Sequence, residues 1–124
     1  MNTTFNYLKD KEVKRKIKCY TINIPMYHCV VKIVFGKQAK QLEKDWNRSA
    51  DGFGGLTRNY LKKYGEVLIS FPVKKPKIKY VTHEFYHAIT MIMENIGHKI
   101  KIDSDEPPAY LMSYLISEYL KIKQ

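Results

Sequence analysis

Cysteine is scarce in this chain, which excludes a fold held together by several disulfides. Only Cys19 and Cys29 occur among 124 residues. Their spacing is not that of a zinc ribbon, so we discount them as metal ligands. They lie symmetrically about Ile24-Pro25 and could face each other across a hairpin, but two cysteines in a chain without an export signal favour free thiols.

Long hydrophobic runs are also absent, and their absence excludes a membrane-spanning segment. The N-terminus, Met1 to Thr4, is polar and is followed by the charged segment Lys9 to Glu12, which does not resemble a signal peptide. We therefore expect no membrane association and a cytoplasmic location.

Arginine is also scarce in this chain. It occurs only at positions 15, 48 and 58, although 22 basic and 12 acidic residues give a formal net charge of +10. A basic surface attracts nucleic acid, but side chains that read bases through paired hydrogen bonds are mostly arginines. We interpret the lysine clusters at 14–18 and 74–79 as solvated faces and the tyrosines as residues at the rim of the core. Nucleic-acid binding is therefore the less favoured interpretation of the charge.

The hydrophobic pattern predicts one α+β domain over residues 1–124. A small mixed or antiparallel sheet should pack on a long helix and a C-terminal helix. Alternating and β-branched segments predict strands at 16–24, 27–35, 56–60 and 66–71. Apolar residues at helical spacing predict helices at 37–46, 81–96 and 109–122. Residues 51–55 are expected to form a loop.

The most informative segment runs from His83 to His87 and contains the pattern H-E-x-x-H. On a helix the two histidines stand one turn apart on one face with Glu84 beside them, which is how zinc hydrolases hold the metal and its general base. The apolar residues of this segment form a separate stripe, so both histidines should face a cleft and not the core. Gly97 supplies the stop for this helix.

A hydrolytic zinc ion takes three protein ligands and leaves its fourth position to water. Glu106 is the preferred third ligand, because Pro107-Pro108 fits the first turn of a helix and places this carboxylate at the N-terminal end of that helix. Asp103 and Asp105 are alternatives, although either can serve as a helix N-cap. His98 is less favoured, since it follows the glycine that ends the preceding helix.

His83-Glu84-x-x-His87, 18 intervening residues and Glu106-x-x-Ala109 together resemble the signature of the gluzincins, the group of thermolysin-like peptidases and zinc aminopeptidases. The chain is also similar to minimal gluzincins and to short H-E-x-x-H proteins encoded by bacteriophages. The resemblance covers the chain from about Gly54 onward. It implies a zincin-like fold in which His83, His87 and Glu106 bind Zn²⁺ and Glu84 is the general base.

The function expected from this resemblance is hydrolysis of peptide bonds in a peptide or protein substrate, with Glu84 taking the proton of a zinc-activated water. Tyr110 and Tyr114 follow Glu106 at helical spacing, and they are candidates either for stabilising the oxyanion or for packing. By analogy with the zincin layout, an edge strand from Gly55 to Tyr60 would bind an extended substrate, and Gly54-Gly55 would permit its close approach.

The alternative hypothesis is a zincin-fold binding protein with little or no turnover, such as a phage-encoded inhibitor of a host factor. It is motivated by the lack of the large C-terminal lobe that thermolysin-like peptidases carry. A phage-encoded protein of either kind would act in the host cytoplasm. A basic nucleic-acid-binding protein is the third and least favoured hypothesis.

Overall fold

A mixed five-stranded sheet forms the centre of the protein in the computed structural model, which describes residues 2–7, 15–45 and 54–122. The strands are β1 (Asn2–Tyr7), β2 (Arg15–Ile24), β3 (Cys29–Phe35), β4 (Leu56–Tyr60) and β5 (Glu66–Phe71). They lie in the order β1-β2-β3-β5-β4. Strands β3 and β5 are parallel, and every other neighbouring pair is antiparallel. Strand β4 therefore lies at an edge of the sheet.

Helices cover both faces of this sheet. In the described ranges they are α1 (Lys37–Asp45), α2 (Leu61–Tyr64), α3 (Ile78–Asn95) and α4 (Glu106–Leu120). Helices α3 and α4 pack on one face and α1 packs on the other. The predicted α+β class is confirmed. None of these helices combines the length and the apolar character that a membrane span requires.

The core is divided into two layers because side chains of a strand alternate between the two faces of a sheet. Ile33 is completely buried in the larger layer, under α3 and α4. Its neighbour Val34 is completely buried in the smaller layer, under α1. Burial of a side chain of this size contributes about 1.5–3 kcal/mol relative to exposure. Both faces of the sheet thus hold their helices by apolar contact.

Helix α3 begins three residues earlier than the pattern predicts and ends where a glycine predicts its end. Its N-cap, Lys77, has extended backbone, and the helix starts at Ile78. Gly97 has a φ of +79° and donates its N–H to the Glu94 carbonyl, while the N–H of His98 reaches the Met93 carbonyl. This pair of hydrogen bonds is a Schellman motif, which requires the left-handed conformation that glycine adopts freely.

The other predicted elements agree with the structure to within a few residues, with two exceptions. Strands β4 and β5 have the predicted bounds, and α4 starts at Glu106 instead of at residue 109. Strand β1 was not predicted, because its polar residues lack an apolar alternation, yet it pairs along β2 through its backbone. The short helix α2, between β4 and β5, was not predicted either. The predicted loop falls at 51–55, and its residues 51–53 lie outside the described part.

The hypothesis that Cys19 and Cys29 face each other across a hairpin is wrong. Cys29 pairs with Ile24 whereas Tyr20 pairs with Ile33, because the 3-10 turn between the strands moves the centre of the hairpin away from Ile24-Pro25. The two thiols also point to opposite layers of the core. Both are buried and free, so the prediction of free thiols is confirmed. Burial also raises the pKa of the Cys29 thiol, which disfavours the reactive thiolate.

Edge strand β4 is held from both faces of the sheet. On the α1 side, the Arg58 guanidinium forms an ion pair with Glu43, a carboxylate that is completely buried. On the α3 side, the Thr57 hydroxyl donates a hydrogen bond to Glu84. Neighbouring residues of one strand thus make polar contacts in opposite directions, which fixes the register of β4 against both layers.

We expect Arg58→Met to lower the free energy of unfolding by about 3–5 kcal/mol, because it leaves the Glu43 carboxylate buried without its partner. The double variant Arg58→Met/Glu43→Leu should be closer to the wild type in stability, since no charge then remains in the core. Urea unfolding of the three proteins measures the effect. A loss below about 1 kcal/mol in Arg58→Met would contradict this account of how β4 is held.

Candidate metal centre

Helix α3 presents its two histidines on the side away from the sheet. Phe85 and Ala88 of this helix are completely buried, whereas His83 and His87 are exposed. The His83 side chain is 65% exposed. The arrangement follows from the helical period, because residues 83 and 87 lie one turn apart and opposite the apolar stripe. The prediction that both imidazoles face away from the core is confirmed.

The two imidazoles lie against each other. Their Nε2 atoms are 3.2 Å apart, and the rings meet edge to face with 4.8 Å between centroids. Two nitrogens bound to one tetrahedral zinc ion, each at about 2.0–2.1 Å, would be about 3.4 Å apart. The same separation is also that of a single N–H···N hydrogen bond in which one Nε2 carries the proton. The separation of the two Nε2 atoms therefore matches that of two adjacent ligands of a zinc ion.

Glu84 is buried beside this pair. The residue is only 5% exposed, and its Oε1 accepts a hydrogen bond of 2.8 Å from the Thr57 hydroxyl. Its Oε2 lies 3.8 Å from the His83 Nε2. One oxygen of the carboxylate is thus occupied by the edge strand, and the other is directed towards the histidines. This is the position that a general base needs beside a metal-activated water.

Thr57 is a site residue that no pattern in the sequence identifies. Its hydroxyl also lies 3.3 Å from the Glu84 carbonyl oxygen, so one side chain contacts both the backbone and the carboxylate of that residue. A threonine in a strand carries no signal for this contact, because the contact depends on how β4 sits against α3. The predicted strand at 56–60 was the only indication that the sequence offered.

Gly54 and Gly55 bring the chain close to α3. A Cβ atom on Gly55 would lie 2.6 Å from the Glu84 Cγ, and one on Gly54 would lie 2.3 Å from the Tyr80 ring. Any larger residue would therefore push the start of β4 away from the helix. These glycines were expected to permit the approach of a substrate, and the structure shows that they permit the approach of α3 itself.

Glu106 is not brought to the histidines. Helices α3 and α4 are antiparallel, since the Tyr119 ring near the end of α4 packs on Phe85 with 5.8 Å between centroids. Glu106 is the first residue of α4, thirteen residues from Tyr119. At about 1.5 Å per residue this is about 20 Å along the helix axis. The two prolines do occupy the first turn of α4 as predicted, but that turn lies near the far end of α3.

The alternatives to Glu106 are not brought to the pair either. Asp105 takes the N-cap position of α4 without a side-chain capping bond, and Asp103 lies in the 3-10 turn before it. The His98 Nε2 is 2.8 Å from the Ser104 carbonyl oxygen, within the same loop. The described side chains, those of residues 17–44 and 54–122, form no group of three histidines, cysteines or carboxylates able to hold a metal ion.

Tyr110 lies in the second turn of α4 and Tyr114 in its middle, and both are beside the turn between β2 and β3. The Tyr114 hydroxyl donates a hydrogen bond of 2.6 Å to the Asn23 carbonyl, which is a packing contact. Tyr110 is 70% exposed. Both line a depression of about 620 Å³ together with Ile24 and Met26. Neither tyrosine is placed beside His83 and His87 by these contacts.

Comparison with protein families, with curated proteins and with solved structures finds no match to this chain. The interpretation of the site therefore depends on its own geometry.

Thr57→Val should lower the free energy of unfolding by roughly 1–3 kcal/mol, because the buried Glu84 Oε1 loses its donor while the side chain keeps its shape. Thr57→Ser keeps the hydroxyl and is the matched control. Thermal and urea unfolding of both variants measure the difference. Equal loss of stability in the valine and serine variants would mean that packing, and not the hydrogen bond, accounts for the effect.

Proposed function

We propose that the protein is a zinc-dependent hydrolase that cleaves peptide bonds. The observation that carries this proposal is the joint placement of the two Nε2 atoms, 3.2 Å apart, and of the buried Glu84 carboxylate, whose Oε2 lies 3.8 Å from one of them. A metal-binding pair alone is compatible with a structural site. A carboxylate that is buried next to the pair, and held there by a second element, favours hydrolysis.

In this proposal His83 and His87 would hold the zinc ion through their Nε2 atoms. The ion would supply a Lewis acid and an activated water. Glu84 would accept a proton from the attacking water at Oε2 and pass it to the leaving amine. Thr57 keeps the carboxylate oriented through Oε1, so that the other oxygen faces the reacting atoms. The resemblance assigns the third protein ligand to Glu106, which α4 places away from the two histidines.

The proposed substrate is an extended peptide or protein segment aligned along β4. Strand β4 is an edge strand whose only neighbour in the described sheet is β5. Its free edge offers backbone N–H and C=O groups that an added strand can pair with. Because Thr57 of this strand contacts Glu84, a peptide paired with β4 would lie beside the general base.

The second hypothesis is a binding protein of the same fold with little or no turnover, such as an inhibitor of a host factor. It is favoured by the observation that no third metal-binding side chain joins the two histidines in the described part of the chain. In that case the free edge of β4 would hold a partner protein without cleaving it.

We expect the wild type to bind one zinc ion per chain and His83→Ala/His87→Ala to bind none, since the pair supplies two of the ligands. His98→Ala is the matched control and should bind zinc as the wild type does. Glu84→Gln should keep the metal and lose hydrolysis of a denatured-protein mixture by roughly 10²–10⁴-fold, because an amide cannot accept the proton. Native mass spectrometry and a peptidase assay with and without chelator measure these outcomes.

Full zinc occupancy in the double histidine variant would exclude this metal site. Zinc binding without any chelator-sensitive hydrolysis, in wild type and Glu84→Gln alike, would favour the binding protein over the enzyme.

Sequence and geometry make opposite predictions for Glu106→Ala. With zinc at about 100 times its dissociation constant, binding to the native state should stabilise the wild type by about 2.7 kcal/mol. We expect Glu106→Ala to keep this gain, because its carboxylate lies about 20 Å along α4 from the level of the histidines. Asp105→Ala is the matched control. Thermal unfolding with and without zinc measures the gain, and its loss in Glu106→Ala alone would establish Glu106 as a ligand.

A further inference from the structure

A lysine-lined depression of about 740 Å³ lies where β2, β3 and β5 meet the start of α1. We refer to it as the lysine depression. Its wall carries four lysines and its floor two aromatic rings, and no acidic side chain from the described ranges lines it. These residues are Lys18, Lys37, Lys40, Lys74, Tyr20 and Phe35.

The fold joins two basic clusters that are far apart in sequence. Lys18 belongs to the cluster at 14–18, and Lys74 belongs to the cluster at 74–79. The N–H of Lys18 donates to the Gln38 Oε1 at 3.0 Å, which holds β2 against α1. The N–H of Gly36 donates to the Phe71 carbonyl at 2.9 Å, which brings the segment after β5 to the same place. Both lysines are exposed, as expected for solvated faces, and the fold brings them to one surface.

The positive charge of the depression has no acidic partner among the described side chains. Lys18, Lys37, Lys40 and Lys74 are exposed, and none of them forms an ion pair with another side chain of residues 17–44 and 54–122. Four ammonium groups around one concave surface raise the local concentration of anions. The charge therefore favours a polyanion as the occupant.

The floor of the depression adds a second kind of contact. The rings of Tyr20 and Phe35 meet edge to face with 5.6 Å between centroids, and both residues are partly exposed. Phe35 is in turn stacked on Phe71 at 5.8 Å, which holds its ring in place. Rings that are fixed and partly open to solvent are suited to stacking with planar groups. An acidic peptide without aromatic residues would use the lysines and leave these rings unused.

We propose that the lysine depression binds single-stranded nucleic acid without sequence preference. Lysines at its rim contact phosphates, and unstacked bases lie on the aromatic floor, which is the combination that binds single strands in general. Lysine makes point contacts with phosphate and does not read bases in paired hydrogen bonds. A duplex keeps its bases stacked in its interior, so it would contact only the lysines at the rim of the depression. The proposal is independent of the zinc site.

The test is fluorescence anisotropy with a labelled twelve-nucleotide oligothymidine, titrated at several salt concentrations. The triple variant Lys37→Gln/Lys40→Gln/Lys74→Gln removes three rim charges outside the strands. We expect it to weaken binding at least about tenfold at 0.1 M salt and to reduce the slope of log K against log salt by about 2, at about 0.7 per lost phosphate contact. The control is the triple variant Lys62→Gln/Lys99→Gln/Lys101→Gln. It has the same net charge, and its substitutions are at exposed positions elsewhere on the protein.

Equal weakening by the two triple variants would overturn the proposal, because net charge alone would then explain binding. The proposal would also be overturned if the wild type failed to bind oligothymidine at low salt. It would likewise be overturned if polyglutamate bound equally tightly through the same three lysines. Tyr20→Leu provides an independent measurement. It should weaken oligothymidine binding about tenfold with an unchanged salt slope, as expected for a lost stacking contact. Unchanged binding in that variant would also overturn the proposal.

Discussion

The contact between Thr57 and Glu84 is the interaction on which the candidate site depends. A carboxylate that is 5% exposed needs a hydrogen-bond donor, and the donor comes from the edge strand of the sheet. Strand β4 can reach α3 only because Gly54 and Gly55 have no side chains to obstruct it. On its other face the strand is anchored through Arg58 and the buried Glu43. The orientation of Glu84, the proposed general base, is thus set by elements that are far from it in sequence.

The parts of the fold that local patterns determine could be predicted from the sequence. Strand β5 is apolar and β-branched with turn residues on both sides, and the face of α3 that carries His83 and His87 follows from the period of its apolar residues. The spacing of the two histidines needed nothing beyond a regular helix. The placement of two side chains one turn apart on a single helix is therefore the most predictable part of this protein.

The sequence is least informative where two elements have to be placed relative to each other. The register of the β2–β3 hairpin separates Cys19 from Cys29, since the 3-10 turn is asymmetric. The direction of α4 separates Glu106 from the histidines, although the spacing along the chain fits a known signature. The contact of Thr57 with Glu84 was missed for the same reason. Spacing in the sequence determines the distance between two side chains on one helix. The distance between side chains on different helices depends on the connecting loop and on the packing of the core.

Phe71, the last residue of β5, lies between the candidate metal centre and the lysine depression. A Cβ atom on Gly55 would lie 3.1 Å from its ring, next to Glu84, and its ring stacks on Phe35 in the floor of the depression. The proposed cleavage site on β4 and the proposed nucleic-acid surface on β2 and β3 are therefore at the same end of the sheet, with β5 between them. A protein substrate that is itself bound to single-stranded nucleic acid would be held near β4. The contacts that hold it there would not depend on the amino-acid sequence of the substrate. Such tethering raises the effective concentration of the substrate at the site without improving its fit to the general base.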